Sequence, residues 1–428
     1  MSSLFLEGPV GAGKTTRAIV HIQSLIDAGV PASYILLLTP HRSYNRPYKE
    51  GIDLQSWYAL GKGTIGGLAR RYVSLFWPAI YQSSRYTFSE LLEPTFVNYE
   101  AAQYFMARLV SLRVEQGYFS ELKLTRQHLC SQLLDNLNKT AVNGIPLSDL
   151  GAYLRSARIS EDRKEVADEI TDTVTAYRDF CAEHNVIDFS LCIELFRDLI
   201  RDGYGAKTHL FAQYRHLVYD NSEEDVPMAH DFVRDWMKHE AAPETVLVIF
   251  DQGGGFRKFL AANPKSARGL QKECCECEVL EASTLVPSSL VNFGYCLINS
   301  ITDAATHALE HDSGPQRFHI SSERLHHQMA LSAVRRVESL INSGHKAHEI
   351  VIISPFLSDS LYHALTTGLG KSGIETYRHR PSRSLRDEPT TKVLLTLTAL
   401  AHPYWQLPRP SKEAVCHMMI MILAGADL

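Results

Sequence analysis

Strand-sized apolar runs alternate with helix-period segments along most of this chain, and their order predicts the architecture. Leu4-Phe5-Leu6 is a short apolar run, and Ala18, Ile19, Ile22, Leu25 and Ile26 then recur at helical spacing. Asp27-Ala28-Gly29-Val30-Pro31 breaks that helix. Tyr34 to Thr39 is apolar throughout, as a parallel strand buried on both faces would be. A third element starts at Gly63 and runs into a helix carrying Leu75, Phe76 and Trp77. From about residue 88 to 183 the texture is helical, as in Tyr99 to Val114 and Leu129 to Leu137, and His184 to Ser190 closes the stretch with an Asp placed to cap the next helix. Strand signals return at His216-Leu217-Val218-Tyr219-Asp220 and at Thr245 to Asp251, around a helix from Ala229 to Met237. Beyond about residue 280 the pattern predicts strands at Arg317 to Ile320 and Ile350 to Ser354, and helices at Arg324 to Asn342, Leu357 to Leu369 and Lys392 to Leu400. The sum is an α/β protein: a parallel-sheet domain from 1–87 and 184–280, a helical insertion over 88–183, and a second, incomplete α/β domain over 281–428.

Composition narrows the partners. The 428 residues are 45% hydrophobic and 21% charged with a net charge of −5, so any nucleic-acid contact must use a local groove and not a cationic surface. Eight cysteines scattered through a long polypeptide predict a reducing, cytoplasmic setting. No run approaches the ~20 apolar residues that span a bilayer, which predicts no membrane contact.

The chemistry concentrates where the first run ends, in Gly8-Pro9-Val10-Gly11-Ala12-Gly13-Lys14-Thr15-Thr16. A strand, a G-x-x-x-x-G-K-T loop and a helix make a P-loop. Gly8, Gly11, Ala12 and Gly13 would curl the backbone so that its N–H groups face phosphate oxygens, with Lys14, Thr15 and Thr16 opening the helix behind them. Lys14 suits the β and γ phosphates of ATP, and the Thr15 hydroxyl suits Mg²⁺. Such a site becomes an ATPase with a strand-terminal acid for Mg²⁺ and a second acid for water. Asp220 fits the first role, or else caps the following helix. Glu223 and Glu224 are candidates for the second, or else belong with Asp225 to a solvated acidic loop. Asp251, followed by Gly253-Gly254-Gly255, reads either as a phosphate sensor or as a plain strand-to-helix turn. Arg42, Arg46, Lys49, Lys62, Arg70 and Arg71 are interleaved with Tyr44, Tyr48, Trp57, Tyr58 and Tyr72. That mixture suits single-stranded nucleic acid, and it equally suits surface charges over core aromatics. Cys274-Cys275-Glu276-Cys277 lacks a matching ligand pair and predicts no zinc site.

Taken in order, GPVGAGKTT, LLLTPHRS, TIGGLARR, HNVIDFS, LVYDNSEED, VIFDQGGGFRKF and IVIISP resemble superfamily 1 DNA helicases of the UvrD, RecB and AddB type. The resemblance implies two RecA-like domains, the second incomplete through a truncation at the C-terminal end. It implies Lys14 and Thr15 on phosphate and Mg²⁺, Asp220 on Mg²⁺, and Thr39, Arg42 and Thr64 on the DNA backbone. Arg70 joins these from the basic and aromatic stretch. The implied activity is an ATP-driven helicase or translocase core moving on single-stranded DNA. The alternative is an AddB-like subunit that binds nucleotide with weak or no motor activity, working beside a helicase or nuclease partner. The sequence departs from the family at three places: Asn221 stands where the catalytic Glu belongs, Gly253 to Gly255 replace the phosphate-sensing Gln, and Ser360 or a neighbour replaces an Arg. An arginine finger, whose loss costs about 10³ to 10⁵ in rate, is also missing. A small-molecule kinase is disfavoured by the long separation of Lys14 from Asp220.

Overall fold

A computed structural model describes residues 2–425, apart from 121, 123, 157–161, 203, 204, 282, 288, 289, 291, 292, 295–320, 379–388 and 406–408. The protein parts into two compact units, Met1–Glu310 and His311–Leu428.

The first unit is α/β around a parallel sheet. Its strands are β1 (Ser2–Gly8), β2 (Ile35–Leu38), β3 (Gly61–Gly63), β6 (His216–Tyr219), β7 (Thr245–Asp251) and β8 (Glu276–Val279), while β4 (Thr95–Phe96) and β5 (Val186–Ile187) form a separate parallel pair. The sheet order is β3-β2-β6-β7-β1-β8, with every neighbouring pair parallel. Every residue of β2 and β6 is buried, which is why those runs carry no polar alternation. One core lies between the sheet and the helix Lys14–Asp27, where Leu6, Ala18, Ile22, Leu37, Val218 and Ile249 pack together. On this order β1 and β6 are separated only by β7. The register that pairs Gly8 with Asp251, Tyr219 with Val248 and Leu38 with Tyr219 brings four carboxyl ends side by side. Ligands of parallel α/β sheets collect at such a crevice.

The strands at both edges are absent from the sequence reading. β3 is Gly-Lys-Gly and β8 is Glu-Cys-Glu-Val, and neither is apolar enough to announce a strand.

Between the halves of the sheet in chain order lie the helices Tyr99–Glu115, Arg126–Val142, Leu150–Ser156 and Asp162–Glu183. The root of this stretch is polar and sealed. Arg178 is fully buried, and its guanidinium reaches Asp188 Oδ1 at 3.3 Å, Ser190 Oγ at 2.8 Å and Glu194 Oε1 at 2.6 Å. Asp188 also accepts the Leu191 N–H at 2.7 Å, so it caps the helix Phe189–Asp202 as its sequence position predicts.

In the second unit the helices His326–Asn342 and Asp359–Lys371 share a core of Ala330, Val334, Val337, Leu361, Leu365 and Leu369. They approach so closely that a Cβ on Gly368 would lie 2.7 Å from Val334 Cγ2. The helices Pro389–Ala401 and Lys412–Gly425 pack on one another. Ile350 to Ser354 corrects the sequence reading. It joins no sheet, with Val351 76% and Ile353 88% exposed, because the described residues of this unit offer no neighbouring strand to pair with it. The other expected strand, Arg317 to Ile320, lies outside the described residues. Among the described residues no helix is long and apolar enough to cross a membrane.

Candidate functional site

The loop Pro9 to Gly13 leaves the end of β1 and enters the helix Lys14–Asp27 through two left-handed glycines, Gly11 at φ 76° and Gly13 at φ 88°. Glycine occupies that region without the Cβ clash that other residues meet. At Gly11 space forbids a side chain as well, because a Cβ would sit 2.7 Å from Ser283 Oγ. The segment after β8 is fastened there: Thr284 donates both its N–H, at 3.1 Å, and its hydroxyl, at 3.0 Å, to the Gly11 carbonyl. The helix has no side-chain cap, so its first N–H groups face the loop.

Lys14 is buried and folded back on this loop. Its ammonium donates to the carbonyls of Gly8 at 2.8 Å and Pro9 at 2.6 Å, and pairs with Asp251 Oδ2 at 3.0 Å. Asp251 Oδ1 accepts the Gly253 N–H at 2.9 Å, which fixes the carboxylate toward the lysine. Thr15 Oγ1 donates to Asp220 Oδ2 at 3.3 Å. The Tyr48 hydroxyl donates to the same oxygen at 2.7 Å, and Oδ1 accepts the Asn221 N–H at 2.9 Å. Burial pushes the Asp220 carboxyl above its usual pKa, while the donors Tyr48, Asn221 and Thr15 and the charge of Lys14 pull it back. Among the described residues no three His, Cys, Asp or Glu side chains gather as a metal cage. A cation beside Thr15 and Asp220 would therefore draw its remaining ligands from phosphate and water, as Mg²⁺ commonly does.

The acidic loop is neither solvated nor uniform. Asn221 takes the left-handed conformation, φ 56° and ψ 42°, and turns the backbone into a single 3₁₀ turn, Ser222–Glu224, in which Ser222, Glu223 and Glu224 are all buried. His230 donates from Nε2 to the Ser222 carbonyl at 2.8 Å; burial takes its pKa down to about 4 and keeps it neutral. Glu223 stays at the site, accepting the Asp251 N–H at 3.0 Å and the Asn221 amide at 3.4 Å, and burial lifts its pKa to about 7. It occupies the space over Gly254, where a Cβ would stand 2.6 Å from Glu223 Cγ. Glu224 is a correction to the sequence reading. Its carboxylate is consumed by the N–H groups of Gly255 at 2.7 Å, Phe256 at 3.0 Å and Arg257 at 3.0 Å, so it shapes the loop after β7 and is held away from water chemistry. Asp225 is likewise internal, bound to the Tyr219 hydroxyl and the Val226 N–H.

The residues expected on nucleic acid divide. Thr39 is fully buried, its hydroxyl turned to Asn45 Oδ1 at 3.1 Å, and so cannot reach a phosphate; this corrects its assignment. Thr64 caps the helix Ile65–Leu75 by accepting the Gly67 N–H at 3.1 Å. Arg42 is exposed on the turn after β2, and Arg70 is exposed against the ring of Phe96, 4.8 Å from its centroid. Of the aromatic residues, Tyr48, Trp57 and Tyr72 are core, while Tyr58 faces solvent.

Three features escaped the sequence reading. Tyr48 touches Asp220 from 172 residues away, and no local pattern marks it. Ser283 and Thr284 rim the glycine loop. Phe256 and Phe259 stand exposed beside Lys258 on the loop after β7, and the F-R-K-F spelling was the available signal. No protein-family model matches the sequence, and no curated protein is similar to it.

Proposed function

We propose that the protein binds ATP with Mg²⁺ at the end of β1, as the nucleotide site of a RecA-like, superfamily 1 helicase-type core. The observation that carries this reading is the convergence of Thr15, on the helix after β1, and Asp220, just past β6, 3.3 Å apart, with Asp251 of the intervening strand on Lys14. Triphosphate oxygens would replace the Gly8 and Pro9 carbonyls as partners of the Lys14 ammonium. The helix N-terminus and the loop N–H groups would add fixed positive potential, and Thr15 with Asp220 would hold the cation that neutralises the phosphates. Glu223 stands next to the Asp251 backbone with a pKa near that of a general base working at neutral pH. Single-stranded DNA is the proposed partner of the exposed Arg42 and Arg70 and of Phe256, Lys258 and Phe259, a mixture of cations and stacking faces.

The reading of a binding subunit with weak motor activity is favoured by Asn221, an amide where the family has its catalytic carboxylate, and by the side-chainless Gly254. Equilibrium binding of a fluorescent ATP analogue tests the common part. Lys14→Ala should weaken binding at least ~100-fold, the loss expected when a charge-assisted phosphate contact is removed from a buried site. ATP turnover with and without single-stranded DNA separates the two versions: many-fold stimulation marks a motor, and indifference to DNA marks a binding subunit.

A further inference from the structure

We propose that Tyr48 is a positioning residue for the divalent cation: its hydroxyl fixes the Asp220 carboxylate beside Thr15 and ties it to the turn at residues 41–45, so that a polyanion on that turn and a cation at Asp220 strengthen each other. The proposal deepens the nucleotide-binding reading and rests on it.

The side chain joins the segment after β2 to the acid after β6, the neighbouring strand of the sheet. Its ring is 0% exposed and packs in the core with Ile52, Trp57 and Val218, while its hydroxyl comes within 2.7 Å of Asp220 Oδ2. With Thr15 on the same oxygen and the Asn221 N–H on the other, the carboxylate plane is fixed from three directions. The Thr15 hydroxyl can give its proton to Asp220 while its lone pair stays open to a cation. Groups that orient a ligating carboxylate commonly matter to metal affinity nearly as much as the ligand does.

The backbone bearing Tyr48 is the helix Arg46–Gly51, which continues directly from the 3₁₀ turn Arg42–Asn45. That turn is held by short links: the Thr39 hydroxyl to Asn45 Oδ1 at 3.1 Å, the Ser43 N–H to His41 Nδ1 at 3.2 Å and the Tyr44 N–H to the His41 carbonyl at 3.1 Å. Arg42 is exposed on it and Lys49 on the helix that follows, whose buried Tyr48 reaches the acid. A polyanion that orders the turn favours the helix position in which Tyr48 reaches Asp220. A cation on Asp220 favours the same position, and by linkage the two effects are equal.

The test uses the full-length protein and a fluorescent ATP analogue at fixed concentration, titrated with Mg²⁺ in the presence and absence of an oligodeoxythymidylate. The wild type should bind the analogue with a Mg²⁺ midpoint that the oligonucleotide lowers. Tyr48→Phe keeps the buried ring and should raise that midpoint about tenfold, and the oligonucleotide should no longer move it. Arg42→Ala should lose the oligonucleotide shift. A wild-type midpoint in Tyr48→Phe overturns the proposal, as does an oligonucleotide shift that survives in it. If Tyr48→Phe does not fold, Asn45→Ala, which loosens the turn without entering the core, must abolish the oligonucleotide shift, and retention of the shift overturns the proposal. A wild-type protein that binds no analogue overturns the nucleotide reading and this inference together, whereas a bound analogue with unaltered Mg²⁺ behaviour in Tyr48→Phe overturns this inference alone.

Discussion

Glu223 and Gly254 show how one residue compensates for another. The missing side chain at 254 leaves room that the Glu223 carboxylate fills, and burial there costs the charged form. Because its folded pKa of about 7 lies above the 4.5 of a free glutamate, the native state holds the extra proton between those values. Its contribution to stability is therefore greatest below about pH 4.5 and is lost as pH rises through about 7. Glu223→Gln, which keeps an acceptor for the Asp251 N–H, should raise the melting temperature at pH 8 and do little at pH 5, a difference on the order of 2–3 kcal/mol at 1.36 kcal/mol per pKa unit. Equal effects at the two pH values would contradict this account. Gly254→Ala should cost about 1–3 kcal/mol in denaturant melts by overpacking, and much less when Glu223 is also truncated. Asp220 could be read from sequence because it ends an apolar run. That Glu223 faces the site while Glu224 faces away could not, since the left-handed turn at Asn221 decides it and asparagine only permits that turn.

Among elements, the junction between the helical insertion and the sheet carries the largest electrostatic stake. Arg178 comes from Asp162–Glu183, and Asp188 and Glu194 come from the start of Phe189–Asp202 and the residue before it. Replacing Arg178 by Met would leave the buried Asp188 without its cation and Glu194 with only Arg85, at 3.7 Å, which should cost about 3–5 kcal/mol in urea melts. Replacing all three by apolar residues should cost far less, which separates pairing from mere packing. β2, β6 and β7 were legible because strands buried on both faces are continuously apolar. Ile350 to Ser354 has the same spelling yet pairs with nothing described, because hydrophobicity marks a strand's preference and not whether a neighbour exists. β3 and β8 fail in the opposite sense: they are held by backbone pairing to β2 and β1, which any residue but proline allows.

At the scale of the molecule, the exposed run Val351 to Ile353 is a surface prone to self-association, since unpaired apolar backbone is a template for another strand. Ile353→Lys should reduce light scattering at high protein concentration without shifting the melting temperature; unchanged scattering would assign self-association to another surface. The order β3-β2-β6-β7-β1-β8 also has a consequence in time. β1 leaves the ribosome well before β7 and β8, its two neighbours in the sheet, and the Gly11 carbonyl awaits Thr284. A nascent polypeptide therefore holds its glycine loop unfinished until those later strands emerge, and leaves Leu4 to Leu6 as a natural foothold for chaperones.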